Sequence, residues 1–137
     1  MTLLTDYQIQ SLCEAGLVDP YDPTLINPVS LDIRLGDSML IEGTYGEMFP
    51  ARGYPSATEE HPYLLEPNEF VLVSSLETFN FPDNVSATVL LKSSRAREGY
   101  TNALALFCDA GWRGSKLTFE LKNYRQHKHL PVYPGMK

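Results

Sequence analysis

The stretch KLTFELKN, Lys116 to Asn123, alternates strictly: Leu117, Phe119 and Leu121 fall on one face, while Thr118 and Glu120 share the other. A side-chain period of two is that of a half-buried β-strand. It follows a tight turn, DAGWRG (109–114). Upstream, EFVLVSSLETF (69–79) is a second β-rich run, opened by the turn EPNE. SLDIRLGD (30–37) also alternates, with Leu31, Ile33 and Leu35 pointing one way and Asp32 and Arg34 the other; a half-buried strand ending at Gly36 is expected. VSATVLL (85–91), ALALF (103–107) and a short piece between the prolines of HLPVYPGMK complete the extended segments. Residues 43–62, rich in Gly, Pro, Tyr and Glu, predict a long surface excursion. One helix is expected at the start. In TDYQIQSLCEAG, Thr5 and Gln8 fit a capping box, Ile9, Leu12 and Cys13 share a face, and Gly16 supplies a stop. Short strands separated by turns after a single helix predict a mainly β fold, a barrel or jelly-roll-like sandwich.

At 137 residues with 43% apolar content, the chain predicts one domain, 1–137, with a single core. No apolar run is long enough for a membrane span. MTLLTDYQIQ lacks the basic and apolar regions of a signal peptide, and a cytoplasmic location is expected. Cys13 and Cys108 are the only cysteines and read as two buried thiols. With 11 basic against 17 acidic residues and a net charge of −6, a nucleic-acid polymer is a poor partner, because a phosphate backbone needs a broad basic surface. A small anion needs only a few focused donors.

Against that acidic background LKSSRAREG (91–99) stands out. It gathers Lys92, Arg95 and Arg97 around the adjacent hydroxyls of Ser93 and Ser94. One short helical turn there would offer free amides, hydroxyls and two cations, a cradle for phosphate. The alternative is a capped surface helix with solvated charges, which the pattern alone favours. Glu120, on a rigid strand, is placed for acid–base work, or else it simply faces solvent. In the turn, Asp109 could hold a water or a ligand hydroxyl and Trp112 could floor a sugar or base; equally, Asp109 starts a hairpin and Trp112 covers core. His61, His127 and His129 have no carboxylate or Cys at ligand spacing, and the zinc deaminase signature, the Walker loop and the dinucleotide fingerprint are absent.

Taken together, these segments resemble the dCTP deaminase branch of the trimeric dUTPase-like family. INPVSLDIRLG (26–36) is similar to that family's first motif, KSSRAREG (92–99) to its RSSLARLG, and DAGWRGSKLTFELKN (109–123) to its IDPGWSGHITLELSN. LPVYPGMK (130–137) resembles the segment before the last strand. The resemblance implies a distorted jelly-roll or β-barrel with a short N-terminal helix, in a homotrimer whose subunits share active sites. It implies that Lys92, Ser93, Ser94 and Arg97 hold a triphosphate carrying Mg²⁺, and that Ser93 helps hold the attacking water. Glu120 would shuttle protons as water attacks C4 of cytosine, Asp109 would serve the base and sugar, and Trp112 would pack on deoxyribose. The reaction it implies first is deamination of dCTP to dUTP and ammonia without a zinc ion. The alternatives are a dUTPase or a bifunctional enzyme that goes on to dUMP, since Asp109 and Glu120 are both kept, and a weakly active regulatory member that binds dCTP or dTTP. Lys92 stands where the family usually has Arg, Arg95 and Glu98 replace apolar residues, and within YTNALALFC (100–108) Ala and Leu stand where the family often has His and Thr. By this resemblance the family's final strand and closing lid are missing from the 137 residues, from which weak or lost catalysis would follow.

Overall fold

A computed structural model describes residues 2–103 and 107–137. In chain order the elements are α1 (Asp6–Glu14), β1 (Val18–Asp19), β2 (Leu35–Glu42), β3 (Met48–Pro50), β4 (Tyr63–Leu65), β5 (Phe70–Asn80), β6 (Ala87–Thr88), α2 (Ser93–Glu98), β7 (Tyr100–Thr101), β8 (Phe107–Cys108), β9 (Arg113–Asn123) and β10 (Leu130–Val132). The fold is mainly β with a short N-terminal helix, as the sequence predicts. In α1 the Thr5 N–H donates to Gln8 Oε1 at 2.9 Å, and Ile9 and Cys13 are buried. Gly16, at φ +101°, takes the chain out of the helix in a conformation that only glycine adopts readily.

Two long strands dominate. β5 alternates without a break, burying Val71, Val73, Ser75, Glu77 and Phe79. It pairs antiparallel with β9, where Val73 lies opposite Phe119 and Leu72 opposite Glu120. Together they anchor a sheet in the order β3-β2-β5-β9-β7, with β1 on the end of β5. β10 pairs with β4, and β6 with β8, as separate two-stranded ribbons. Among the described residues these pairings make an open path and no closed barrel. The apolar face of β5 and β9 packs into one core with Met39, Tyr54, Leu65, Tyr100, Leu130 and Val132. A second core, under α1, joins Ile9, Cys13, Phe79, Phe81 and Cys108, with Trp112 and Leu117 against it. Both cysteines are free and buried, and burial, with the charge of Glu14 beside Cys13 and Asp109 beside Cys108, pushes both thiols up.

Three sequence expectations are corrected. The strand expected to end at Gly36 starts at Leu35 and runs through Gly36 to Glu42. Residues 30–34 send their backbone donors elsewhere: Asp32 N–H to the Leu25 carbonyl at 2.9 Å, and Arg34 N–H to the Glu77 carboxylate at 2.9 Å. Leu31, Ile33 and Leu35 still face the cores. Gly36 lets β2 lie close on β5, because a Cβ there would sit 2.6 Å from the Ser75 carbonyl oxygen. The excursion over 43–62 is not all surface: it contains β3, and Tyr54 is fully buried with its hydroxyl donating to the Gly36 carbonyl at 2.8 Å. Of VSATVLL only Ala87–Thr88 is strand. Of the expected ALALF strand, residues 104–106 lie outside the described residues; Ala103 is in a turn at φ +54° and Phe107 is in β8.

Candidate active site

The basic segment does form a short helix. Lys92 is its extended N-cap and Gly99, at φ +116°, its left-handed C-cap. A Cβ on Gly99 would run into the Arg125 side chain, so both its conformation and its contacts call for glycine. Lys92, Ser93, Ser94 and Arg97 all lie exposed along one short stretch of surface. Arg97 makes no ion pair among the described residues. Arg95 instead turns inward, donating from Nε to the Lys137 carbonyl at 3.1 Å and approaching Glu98 at 3.3 Å. The two charged residues that replace apolar ones therefore satisfy each other and the neighbouring backbone.

Lys92 reaches back to the first motif. Its Nζ donates to Asp32 Oδ2 at 2.7 Å, and Asn27 Nδ2 donates to Asp32 Oδ1 at 2.9 Å. Burial would raise the Asp32 carboxyl, but the hydrogen bonds from Lys92 and Asn27 and the lysine's charge outweigh it and hold the group below the usual carboxylate range. Asp32 is thus an anion at neutral pH.

Glu120 stands half-buried on β9, in a cross-strand row with Leu72 of β5 and Leu40 of β2. Its carboxylate has no hydrogen-bond or ion-pair partner among the described residues. Asp109 is exposed and opens a turn closed by the Trp112 N–H on the Asp109 carbonyl at 3.3 Å, with Gly111 at φ +80°. The turn docks on the FPDN segment through Gly111 N–H to the Pro82 carbonyl at 3.0 Å and Phe81 N–H to the Trp112 carbonyl at 2.8 Å. Trp112 stacks with Phe79 at 6.0 Å and Phe81 at 6.3 Å, which gives it the core-covering role; it remains partly exposed.

Within the single chain, α2 leads straight into β7, and β7 pairs with β9 at Tyr100–Asn123 and Thr101–Lys122, just past Glu120. α2 and Glu120 are therefore joined through β7 and β9, and Asp109 lies in the turn that leads into β9. No hydrogen bond or ion pair joins the α2 side chains to Glu120 or Asp109 among the described residues. Most of YTNALALFC is described, but Leu104–Leu106, the heart of the altered segment, lie outside the described residues.

The match to known proteins is extensive. The sequence profile for dCTP deaminase-like proteins matches residues 3–137. A dUMP-forming dCTP deaminase from Thermobifida fusca (strain YX) is 36% identical over 148 residues, covering 98% of this chain and 74% of the relative. The dUMP-forming dCTP deaminase of Mycobacterium tuberculosis (strain H37Rv) is also 36% identical, covering 98% of this chain and 76% of the relative. The chain belongs to the dCTP deaminase-like family. It is a hydrolase family within the trimeric dUTPase-like superfamily, and the expectation of an enzyme rests on this membership. The crystal structure of 2′-deoxycytidine 5′-triphosphate deaminase from Agrobacterium tumefaciens superposes with a TM-score of 0.72 at 20% identity, over 96% of this chain and 44% of that one, which shows the shared fold.

The relatives correct one expectation of the dCTP deaminase-like reading. Deamination ending at dUTP and ammonia came first from the sequence; the curated relatives at 36% identity are instead dUMP-forming. The alternative that keeps both acids in use is the better one. Local patterning also gives no sign of the Lys92–Asp32 and Arg34–Glu77 ion pairs. Glu77 could have been noticed, since it shares parity with Val71, Val73 and Phe79 on an otherwise buried face.

Proposed function

We propose that the chain is a dCTP deaminase that forms dUMP, with ammonia and pyrophosphate as the other products. The observation that carries this reading is that both acids are kept, Asp109 in the turn before β9 and Glu120 within it, in a chain 36% identical to dUMP-forming relatives. Deamination needs a proton taken from the attacking water, a proton on ring N3 and a proton for the leaving amine. A single half-buried carboxylate without a competing partner can carry all three in turn. Glu120 has that setting. Asp109, exposed at a turn fixed by three backbone hydrogen bonds, is assigned to the second water, which attacks the α-phosphorus and releases pyrophosphate.

Lys92, Ser93, Ser94 and Arg97 bind the triphosphate. Their donors suit phosphate oxygens, and none of these four side chains is a carboxylate that would hold a hard cation. Among the described residues there is no cluster of three metal-ligating side chains. Mg²⁺ would be carried by the substrate's phosphates, held through them by Lys92, Ser93, Ser94 and Arg97, and would offset their charge. Trp112 offers its exposed edge to deoxyribose. The substrate is dCTP, with dUTP as the bound intermediate and dTTP as a competing ligand. The assembly is a homotrimer in which neighbouring subunits complete each site, and the sheet and ribbons form the distorted jelly-roll or barrel of the superfamily.

The test separates the two acids. With dCTP and Mg²⁺, Glu120→Gln is expected to release ammonia about 10²- to 10⁴-fold more slowly while still binding dCTP. Asp109→Asn is expected to lose pyrophosphate release and accumulate dUTP. Equal loss of both products in Asp109→Asn, with no dUTP, would remove Asp109 from the second step.

A further inference from the structure

We infer that Asp32 is a positioning residue for the phosphate-binding lysine, holding the Lys92 ammonium at the edge of the α2 cradle; this rests on the reading of that cradle given above. The two carboxylate oxygens of Asp32 are fixed by different partners. Oδ2 accepts from Lys92 Nζ at 2.7 Å and Oδ1 from Asn27 Nδ2 at 2.9 Å. The Asp32 side chain is 14% exposed and that of Lys92 43%, so the acid is shielded while the ammonium stands at the surface. The segment bearing Asp32 is itself anchored. The Asp32 N–H donates to the Leu25 carbonyl, and two residues on, Arg34 is bound to buried Glu77 through both its backbone N–H and its Nε.

The chemistry of lysine makes this anchor useful. Lysine presents a point charge on a flexible four-carbon stem, whereas arginine carries its own planar fork. Ordering a free lysine on binding costs side-chain entropy. An ammonium already held by one of its three hydrogens has two left for phosphate, and much of that ordering is complete before the ligand arrives. Asp32 thus supplies from outside the orientation that an arginine at this position would supply itself. The carboxylate also brings a negative charge near an anion site, so the opposite effect, competition with phosphate for Lys92, is a real physical alternative with an opposite experimental sign.

The full chain is titrated calorimetrically with inorganic tripolyphosphate and assayed with dCTP, comparing Asp32→Asn, Lys92→Met and the double variant. Asp32→Asn is expected to weaken tripolyphosphate binding about fivefold and to raise KM for dCTP by a similar factor, with kcat within about twofold. In the Lys92→Met background the same change is expected to do nothing, because the residue acts through the lysine. Asp32→Glu is expected to recover part of the loss. If Asp32→Asn does not fold, as judged by its melting, Asn27→Ala leaves the carboxylate in place and is expected to weaken binding in the same direction by a smaller factor. Unchanged or tighter binding in these variants, an equal loss in the Lys92→Met background, or a fall confined to kcat would overturn the inference. If wild-type protein turns over dCTP while the cycle shows no coupling, this inference alone falls. If wild-type protein binds neither tripolyphosphate nor dCTP, the reading of the cradle falls with it.

Discussion

Arg34 places its Nε 2.8 Å from Oε2 of Glu77, and its backbone N–H donates to Oε1 of the same carboxylate at 2.9 Å. Glu77 is 1% exposed, so this pair ties residues 30–34, which lack a strand ladder of their own, to the centre of β5. Ser75 continues the network, donating from its hydroxyl to the Glu77 carbonyl at 2.6 Å and accepting from Leu117 N–H of β9 at 2.9 Å. Removing one partner of a buried pair leaves the other charge uncompensated. Glu77→Gln is expected to cost about 3 kcal/mol, a fall in Tm of about 10 °C, read by thermal and urea denaturation. A change of less than about 0.5 kcal/mol would mean that the pair does not hold the segment.

Gly36 sets the distance between β2 and β5. A Cβ there would lie 2.6 Å from a backbone oxygen, which cannot swing aside as a side chain would. Gly36→Ala is expected to destabilise by about 2–3 kcal/mol in urea denaturation. Gly53→Ala, where an added Cβ meets nothing within 4 Å, is expected to stay within about 0.5 kcal/mol and serves as the comparison.

Much of this was legible in the sequence. The alternation in β5 and β9, the capped first helix and the turn at Asp109 each follow from short-range patterning, and each stands in the structure within a residue or two. The failures share one physical cause, which is partners distant in sequence. Leu31, Ile33 and Leu35 alternate as a strand would, yet the donors at Asp32 and Arg34 are taken by Leu25 and Glu77, so no ladder forms. The long excursion is polar in composition, but β3 pairs with β2, Ala51 is buried, and Tyr54 fills the core and bonds Gly36. The Lys92–Asp32 bond spans 60 residues, and no local pattern announces it. The candidate site residues stand out only through motif order across the chain, since α2, Glu120 and Asp109 each admit a bland reading in isolation.

Two buried phenols give the protein a distinct alkaline behaviour. Burial, with the charge of Glu98, pushes Tyr100 up to about 12, and burial, with that of Asp37, pushes Tyr54 higher still. Their hydroxyls donate to the Pro131 and Gly36 carbonyls. A folded-state value raised above the unfolded one of about 10 favours the neutral phenol. Its stabilising effect is full below that value and is lost as pH rises through the folded one. Absorbance titration at 295 nm is expected to leave at least two of the 8 tyrosines un-ionised at pH 11 in the folded protein, and to release them together on alkaline unfolding. Tyr100→Phe should remove one of these late-titrating groups.

Arg97 tests the cradle without disturbing the fold. It is exposed on α2 and makes no ion pair among the described residues. Arg97→Ala is expected to lower kcat/KM for dCTP about 100-fold through lost phosphate contacts, with stability within about 0.5 kcal/mol of wild type. A large loss of stability with unchanged kinetics would make Arg97 a structural residue.

A single site is expected to carry dCTP through to dUMP. The most direct measurement is the stoichiometry of products from the wild-type chain with dCTP and Mg²⁺, following ammonia, pyrophosphate and free dUTP together from the first turnovers. Ammonia and pyrophosphate appearing in equal amounts, with no dUTP building up, is the predicted result. Ammonia accompanied by accumulating dUTP and no pyrophosphate, or neither product at all, would contradict it.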